Sequence, residues 1–292
     1  MESPVSSARI LITGATGQLG RLVIAELLQR LPASELAVAV RDPLRASDLS
    51  AQGIDVRAAN YDDPEALERA MVGIERVLLI ASNELGQRSR QHRNVISAAS
   101  RAGVAFIAFT SLLHADGTPI GLGVEYRDTE AALRESGLAF AVLRNGWYTE
   151  NITATASLEI LQGVRAGAAG QGRFSAAARA DYAAAAAVVL TTDVPSGQIY
   201  ELAGDDSFSL AEYAATLARV AHTPVRYDDM TPSDYRDHLL AAGLPQPLAD
   251  LLSDWDAGAA QNALFDQSRT LSRLIGRPTT SLETSLRAAL AS

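Results

Sequence analysis

The chain has 292 residues, 48% of them hydrophobic, and a formal net charge of −9, which predicts a globular protein with a sizeable core. The negative charge argues against a nucleic acid or an anionic membrane as partner. There is no cysteine and all 25 basic residues are arginine, so disulfides, thiolate chemistry and every lysine mechanism are excluded.

Two further expectations concern location and assembly. Residues 1–7 lack the basic and apolar regions of a signal peptide, and no apolar stretch approaches the length of a membrane span. The sequence therefore predicts a cytoplasmic protein that does not enter a membrane. It predicts no metal site, and it is compatible with a homodimer.

The first motif is a short apolar run followed by glycines spaced three residues apart. Residues 10–12 predict a strand, Gly14, Gly17 and Gly20 predict a tight turn, and residues 22–28 predict a helix. Such a turn can bring bare backbone N–H groups and the positive end of a helix dipole to a phosphate. With a second apolar run at Leu36–Val40, the motif predicts a dinucleotide-binding unit, the alternative being a purely structural turn.

Arg41 directly follows the second predicted strand, where a dinucleotide fold places the adenosine ribose. A guanidinium there suits a 2′-phosphate, so the sequence favours NADPH over NADH. The alternative is an ordinary surface arginine. Asp42 and Pro43 are typical of a helix cap and a first helical residue.

Four more strands are predicted at residues 55–58, 76–81, 105–110 and 138–143, and they alternate with helices. This alternation predicts an α/β fold, a Rossmann-type doubly wound parallel sheet. Ligands of such sheets bind beyond the carboxyl ends of the strands. Candidate cofactor residues there are Tyr61 after the third strand and Ser82, Asn83 and Arg88 after the fourth. Helix capping by Asp63 and a solvated Arg88 are the alternatives.

The ends of the fifth and sixth strands carry the candidate substrate residues. Leu112 and His114 follow the fifth strand, and a structural role is the alternative for the histidine. Residues 117–123 contain many helix breakers and predict a mobile loop, which we interpret as a lid over the nicotinamide. The sixth strand ends in the cluster Asn145, Gly146, Trp147, Tyr148 and Glu150.

The rhythm of strands and helices changes after residue 151. We expect an NAD(P)-binding domain at residues 1–150, which residues 180–204 rejoin, and a smaller, mostly helical substrate-binding lobe at 151–292. A glycine-rich bend is predicted at 163–172, a helix at 181–190 and a strand at 199–202. Ser209 with Glu212, and Thr280 with Glu283, predict capping boxes that open two later helices.

Several stretches carry a family resemblance, and they lie at residues 13–20, 86–88 with 91–96, 110–116, 144–148 with 150–151, 179–187, and 274–276 with 278–280. On these stretches the chain resembles the NmrA-like atypical short-chain dehydrogenases, and within that group the bacterial quinone reductases. The resemblance implies NADPH-dependent, flavin-free reduction of a small quinone. It also implies cofactor contacts from Gly14, Thr16, Gly17, Gln18, Leu19, Gly20, Arg41, Ser82, Asn83, Asn145, Gly146, Trp147, Tyr148 and Glu150.

One departure from related enzymes concerns the proton donor. Tyr126 is followed at the fourth position by Glu130, where a Tyr-x-x-x-Lys pair needs lysine. A quinone becomes a weakly basic hydroquinone anion, so its reduction gains little from a general acid. We therefore expect positioning to dominate, with the Asn145 amide N–H polarising the quinone oxygen and Trp147 and Tyr148 forming ring walls.

Two alternatives to quinone reduction stay open. Relatives that reduce triphenylmethane dyes use the same hydride chemistry on a larger cation. A non-catalytic NmrA-like sensor would bind NADP and regulate a partner, which the lack of a dedicated acid or base favours.

Overall fold

The computed structural model describes residues 9–291, so residues 1–7, which lack a signal-peptide pattern in the sequence, lie outside the described part of the chain. The helices and strands are β1 (Ile10–Thr13), α1 (Gln18–Leu28), β2 (Leu36–Val40), α2 (Ser47–Ala51), β3 (Asp55–Ala58), α3 (Pro64–Ala70), β4 (Arg76–Leu79), α4 (Arg88–Arg101), β5 (Phe106–Leu112), α5 (Gly123–Glu135), β6 (Ala139–Asn145), α6 (Thr149–Thr153), α7 (Ala156–Gln162), β7 (Val164–Gly167), α8 (Arg179–Thr191), β8 (Gln198–Leu202), α9 (Leu210–Ala221), β9 (Arg226–Asp229), α10 (Pro232–Ala241), α11 (Gln246–Ala260), α12 (Thr270–Ile275) and α13 (Leu282–Ala291). Short 3₁₀ helices occupy Ala33–Glu35 and Pro43–Ala46.

Seven strands form the main sheet in the order β3-β2-β1-β4-β5-β6-β8. β1 pairs in parallel with β2 and with β4, so that Ile10 lies opposite both Leu36 and Arg76. Every residue of β1, β2 and β5 is buried, as expected for parallel strands covered by helices on both faces. The strand order reverses at β1 and β4, and the predicted doubly wound Rossmann-type fold is confirmed.

The chain divides into two compact units. Unit 1 comprises the described residues up to Leu112 together with Val124–Arg144 and Tyr182–Tyr200. Unit 2 comprises Leu113–Gly123, Asn145–Asp181 and the chain from Glu201 onward. The sequence places the division at residue 150, whereas the contacts divide the chain within the last residues of β6. The core of unit 1 includes Leu11, Val77 and Phe109.

Unit 2 is mostly helical, and its core includes Phe208, Tyr213 and Leu264. It also contains a parallel two-stranded sheet of β7 and β9, in which Val164 lies opposite Arg226. The prediction of a glycine-rich bend over 163–172 is therefore wrong for Val164–Gly167. The pairing partner of β7 lies about sixty residues further along the chain, and β9 is too short and polar to show a strand pattern.

The two predicted capping boxes have different outcomes. Ser209 and Glu212 form the reciprocal bonds of a capping box at α9. The second box is wrong, because Ser281 accepts the backbone N–H of Thr284 and opens α13. Thr280 instead donates its backbone N–H and its hydroxyl to the buried carboxylate of Asp181.

The loop predicted to be mobile has several contacts within unit 2. Ile120 is 2% exposed and belongs to the unit 2 core. The backbone N–H of Gly121 donates to Asp254 on α11 over 2.9 Å. The segment is thus anchored at its centre, and its function as a lid stays a prediction.

Candidate cofactor and substrate sites

The glycine turn of unit 1 has the backbone that its sequence predicts. Gly14 has φ of +60°, a conformation that favours glycine, and its carbonyl accepts the N–H of Gly17 over 3.0 Å. A Cβ on Gly20 would lie 2.4 Å from the carbonyl oxygen of Gly14, so a side chain there cannot fit without displacing the turn. Thr16 is half-buried and Leu19 is buried on α1.

The amino end of α1 is free to bind an anion. Gly17 is the N-cap residue and no side chain caps the helix. The backbone N–H groups in the first turn of α1 therefore have no acceptor from a capping side chain. The first turn contains no acidic residue, and Gly14, Gly17 and Gln18 are exposed. This turn therefore fits a phosphate-bearing dinucleotide.

Arg41 lies immediately after β2, and its side chain is 69% exposed. Its Nη1 donates to Oε1 of Glu84 over 2.9 Å. Asp42 caps the following 3₁₀ helix by accepting the N–H of Leu44, with Pro43 at the first position, as predicted. Arg41 is thus available at the carboxyl edge of the sheet, paired with a carboxylate.

Ser82, after β4, is the centre of a polar network with α4. Its backbone N–H donates to Nε2 of His92 over 2.9 Å, and its hydroxyl donates to Gln91 over 2.5 Å. Because Nε2 accepts, Nδ1 carries the proton and donates to Thr129 over 2.8 Å. Burial, and secondarily the charge of Arg88, lower the pKa of His92 to about 3, so the imidazole is neutral at physiological pH. Asn83 is exposed.

Arg88 is a buried cation with one unsatisfied group. Its Nε donates to the carbonyl of Ser82 over 2.5 Å, and its guanidinium lies 5.5 Å from the centre of the Tyr126 ring. Its Nη1 is buried and has no hydrogen-bond partner among the described residues. An orphaned donor on a buried cation is expected to need an acceptor from a ligand or water. The alternative of a solvated Arg88 is therefore wrong.

Tyr61 is tied to the sheet by its hydroxyl. The hydroxyl contacts Thr13 Oγ1 at 2.5 Å and donates to the carbonyl of Ile80 over 2.9 Å. Burial raises its pKa, so the phenol stays protonated. These bonds join the ends of β1 and β4, which gives Tyr61 a structural role besides the cofactor contact that we predict. Asp63 caps α3 as expected.

Glu130, at the position of the missing lysine, is fully buried. It binds Arg144 through two bonds, Nε to Oε1 over 2.9 Å and Nη2 to Oε2 over 2.7 Å. The hydroxyl of Ser111 also donates to Oε1 over 2.7 Å. Glu130 thus has a structural role, because both of its carboxylate oxygens accept hydrogen bonds from neighbouring side chains.

Asn145 is the last residue of β6 and belongs to unit 2, and it is 5% exposed. Its Nδ2 donates to the hydroxyl of Tyr148 over 3.3 Å. Its Oδ1 is buried without a hydrogen-bond partner among the described residues. The unsatisfied group of this amide is thus an acceptor, whereas the sequence predicts a role for its N–H.

The residues next to Asn145 have structural contacts in unit 2. Gly146, directly after β6, donates its N–H to the carbonyl of Leu202 in β8 over 2.7 Å. The Trp147 ring packs edge-on against Trp255, with centroids 4.4 Å apart. The Arg179 guanidinium lies 4.7 Å from the centre of the Tyr148 ring.

Glu150 accepts the backbone N–H of Arg179 at the start of α8, over 2.9 and 3.1 Å. Its carboxylate therefore stabilises a helix N-terminus. The predicted cofactor contact of Glu150 stays a prediction.

His114 and Leu112 flank the end of β5. His114 has φ of +54°, and its backbone N–H donates to Glu201 over 2.9 Å. Its Nε2 lies 3.2 Å from the carbonyl of Phe265, an acceptor, so this nitrogen carries the proton. Leu112 is 9% exposed. The contacts of His114 favour the structural alternative.

Sequence reasoning missed the functional context of Gln91, His92 and Glu84. Gln91 and His92 are buried on a helix whose other face is strongly polar, and only a polar pair at a core position signals them. Across residues 9–291 there is no group of three His, Asp or Glu side chains placed to hold a metal ion. Nor does any helix in that range combine the length and apolar character needed to cross a bilayer.

The site can now be compared with known proteins. A family model described as NAD(P)H-binding matches residues 14–193. Quinone oxidoreductase 2 of Escherichia coli (strain K12) is 51% identical over 277 residues, which cover 95% of this chain and 97% of that protein. A crystal structure of an NADPH-dependent quinone oxidoreductase from Escherichia coli, complexed with NADPH, matches with a TM-score of 0.95 and 50% identity, covering 96% of this chain and 99% of that chain.

A second solved structure broadens the comparison. The Citrobacter sp. triphenylmethane reductase complexed with NADP(H) matches with a TM-score of 0.92 and 32% identity, covering 96% of this chain and 99% of that chain. The resemblance expected from the sequence is confirmed. On these matches the chain belongs to the NAD(P)H-binding family and, within it, to the group that includes Quinone oxidoreductase 2.

Proposed function

We propose that this protein reduces small quinones by two electrons at the expense of NADPH, without a flavin. The assignment of a dinucleotide cofactor rests on the glycine turn, where Gly20 has no room for a side chain and α1 begins uncapped. The assignment of a quinone as the electron acceptor rests on 51% identity to Quinone oxidoreductase 2 along nearly the whole chain.

Three groups of unit 1 would hold the cofactor. The N–H groups of Gln18 and Leu19 at the uncapped amino end of α1, with the dipole of that helix, bind its diphosphate. The guanidinium of Arg41 binds the 2′-phosphate, a role that its fork of donors suits. Nη1 of Arg88 donates to a cofactor oxygen and so satisfies the one unpaired donor of that buried cation.

Bound NADPH supplies the hydride, and the protein's own contribution is positioning. Asn145 offers a buried amide whose Oδ1 lacks a partner and whose Nδ2 is oriented by Tyr148. Its second N–H polarises the quinone oxygen, and Oδ1 accepts a donor from bound cofactor or product. Trp147 and Tyr148, with Leu112 and His114, remain the proposed ring contacts.

General acid catalysis has little part in this proposal. Glu130 is engaged by Arg144 and Ser111, and His92 is neutral and bonded at both nitrogens. The hydroquinone anion is released to water, where it protonates according to pH. We therefore expect kcat to vary little between pH 6.5 and 8.5.

The direct test is NADPH oxidation by the purified protein with benzoquinone, followed at roughly 340 nm, where reduced nicotinamide absorbs. The assay is repeated with NADH. Turnover that prefers NADPH supports the proposal. Tight NADPH binding without turnover on any of several quinones contradicts it and favours the regulatory sensor instead.

Asn145 can be tested by substitution. Asn145→Ala should lower kcat about 10- to 100-fold, because a polarising amide stabilises developing charge on the quinone oxygen. The dissociation constant for NADPH, measured by calorimetry, should change less than about threefold. Gln261→Ala removes an exposed amide elsewhere in unit 2 and serves as control. An equal loss of cofactor binding would remove the catalytic role from Asn145.

A second candidate function is reduction of triphenylmethane dyes. It is favoured by the match to a triphenylmethane reductase at 32% identity over nearly the whole of both chains. The same assay with a cationic dye, read as loss of colour, compares the two acceptors by kcat/KM. We expect the quinone to be preferred, since the identity to the quinone oxidoreductase is higher. A homodimer, left open by the sequence, is tested by light scattering.

A further inference from the structure

The pair formed by Arg41 and Glu84 spans the edge of the sheet beside the glycine turn. β1 lies between β2 and β4 in the sheet, and Arg41 follows β2 while Glu84 follows β4. Parallel neighbours lie about 4.8 Å apart, so the pair reaches across about 10 Å above the carboxyl end of β1. The glycine turn starts at this end of β1, so the pair lies where the proposed cofactor must bind.

The two partners are held very differently. Oε2 of Glu84 accepts Nε2 of Gln91 over 2.7 Å, and Gln91 is 1% exposed. The backbone N–H of Glu84 also donates to the hydroxyl of Ser82 over 3.2 Å. Glu84 is thus held by the buried Gln91 of α4 and by the partly buried Ser82, whereas Arg41 is 69% exposed and is the partner that can turn away.

A 2′-phosphate and the Glu84 carboxylate need the same group. A guanidinium recognises either anion through the same fork of N–H donors. A phosphate bound at Arg41 would also lie within a few ångströms of a fixed negative charge, and like charges at that distance repel. NADH lacks the 2′-phosphate, so it neither competes with Glu84 for the Arg41 guanidinium nor is repelled there by the Glu84 carboxylate.

We propose that Glu84 is a specificity-determining residue, an internal competitor for Arg41 that limits how strongly the protein prefers NADPH over NADH. This inference rests on the proposed function, because it assumes that Arg41 binds the 2′-phosphate. Neutralising the Glu84 carboxylate should therefore make the protein more selective for NADPH over NADH.

The test compares Glu84→Gln with a matched control. Glu68 has the same side-chain exposure, 44%, and also pairs with an arginine, Arg101, at 2.7 Å, but on the surface of α3 and α4. Calorimetric titrations with NADPH and NADH are made on wild type, Glu84→Gln and Glu68→Gln. Glu84→Gln should bind NADPH roughly two- to fivefold more tightly, the range expected for an exposed pair. Its affinity for NADH should stay within about twofold of wild type, since no phosphate is involved.

The outcomes separate the two proposals. If wild type binds neither dinucleotide, the proposed function and this inference both fail. If wild type prefers NADPH but Glu84→Gln behaves like Glu68→Gln, or binds NADPH more weakly, only the competitor role is overturned. Glu84→Ala, which also removes the bond to Gln91, is the second variant. It should shift the NADPH to NADH affinity ratio in the same direction, and an unchanged ratio counts against the proposal.

Discussion

Two arginine–glutamate pairs in unit 1 share their chemistry but differ in their surroundings. Glu130 and Arg144 form a bidentate pair whose side chains are 0% and 4% exposed. Arg41 and Glu84 make one contact, with side chains 69% and 44% exposed. A buried charge cannot lose its partner without a large desolvation cost, whereas an exposed one exchanges its partner for water. Burial therefore makes the first pair structural and leaves the second able to exchange partners.

The largest effect is expected where the buried pair is broken. Glu130→Gln keeps the shape of the side chain but leaves Arg144 buried without its carboxylate. The free energy of unfolding should fall by roughly 3–5 kcal/mol, measured by urea denaturation at pH 7.5. Glu68→Gln, which breaks an exposed pair, should cost about 1 kcal/mol or less. Equal losses in the two variants would contradict the distinction that we draw from burial.

His92 extends the comparison to a buried group that stays neutral. Its pKa is about 3 in the folded protein against 6.5 ordinarily, so the unfolded chain binds the extra proton between these values. Its contribution to stability is therefore complete above pH 6.5 and is lost as the pH falls toward 3. At pH 5 the loss is roughly 2 kcal/mol, or 1.5 pH units at 1.36 kcal/mol each.

The measurement is the slope of unfolding free energy against pH from 7.5 to 5, in wild type and His92→Gln. The variant should lose the part of the slope that comes from this imidazole, whatever its overall stability. His238→Gln, on an exposed position of α10, is the control variant. Parallel slopes for wild type and His92→Gln would mean that His92 titrates normally.

Removal of Arg41 tests the function of the exposed pair. Arg41→Gln should weaken NADPH binding about 10- to 100-fold, the value of one or two charge-assisted bonds, and leave NADH binding nearly unchanged. Arg69, with the same 69% exposure and a carboxylate partner in α3, supplies the control variant Arg69→Gln. Equal losses for both cofactors would place the 2′-phosphate elsewhere.

The smallest effect is expected for the stability of the exposed pair itself. A double-mutant cycle of Arg41→Gln and Glu84→Gln should give a coupling energy below about 1 kcal/mol by urea denaturation. The cofactor assays and this cycle together would show that the pair affects binding more than folding. A coupling of several kcal/mol would make Arg41–Glu84 resemble the buried pair.

The sequence predicts the strands of unit 1 closely, because parallel strands buried on both faces are continuous apolar runs. Leu36–Val40, buried throughout, has the bounds that the sequence indicates. Asp55–Ala58 also has the indicated bounds, although this edge strand is only partly buried. β7 and β9 escape prediction because their signal is the pairing itself, which joins distant and partly polar segments. The capping residue of α13 escapes because Asp181, far along the chain, takes the hydroxyl of Thr280.

The candidate site divides in the same way. Position in the pattern suffices to place Gly14, Gly17 and Gly20 in the β1–α1 turn and first helical turn, and Arg41 directly after β2, while their cofactor contacts stay predictions. The partner of Arg41 lies 43 residues away, after a strand that is not its neighbour. The unsatisfied oxygen of Asn145 also depends on how Tyr148 turns toward it. Such contacts depend on the folded topology and are invisible to local patterns.

The contact between Trp147 and Trp255 provides an intrinsic fluorescence signal for unit 2. These are the only two tryptophans of the chain, and both belong to unit 2. All indole fluorescence therefore arises from this ring pair, of which Trp147 lies two residues beyond Asn145, and unit 1 contributes none of it. A denaturation curve recorded by this emission follows unit 2, whereas far-ultraviolet circular dichroism follows both units. The two curves would reveal directly whether the units unfold together.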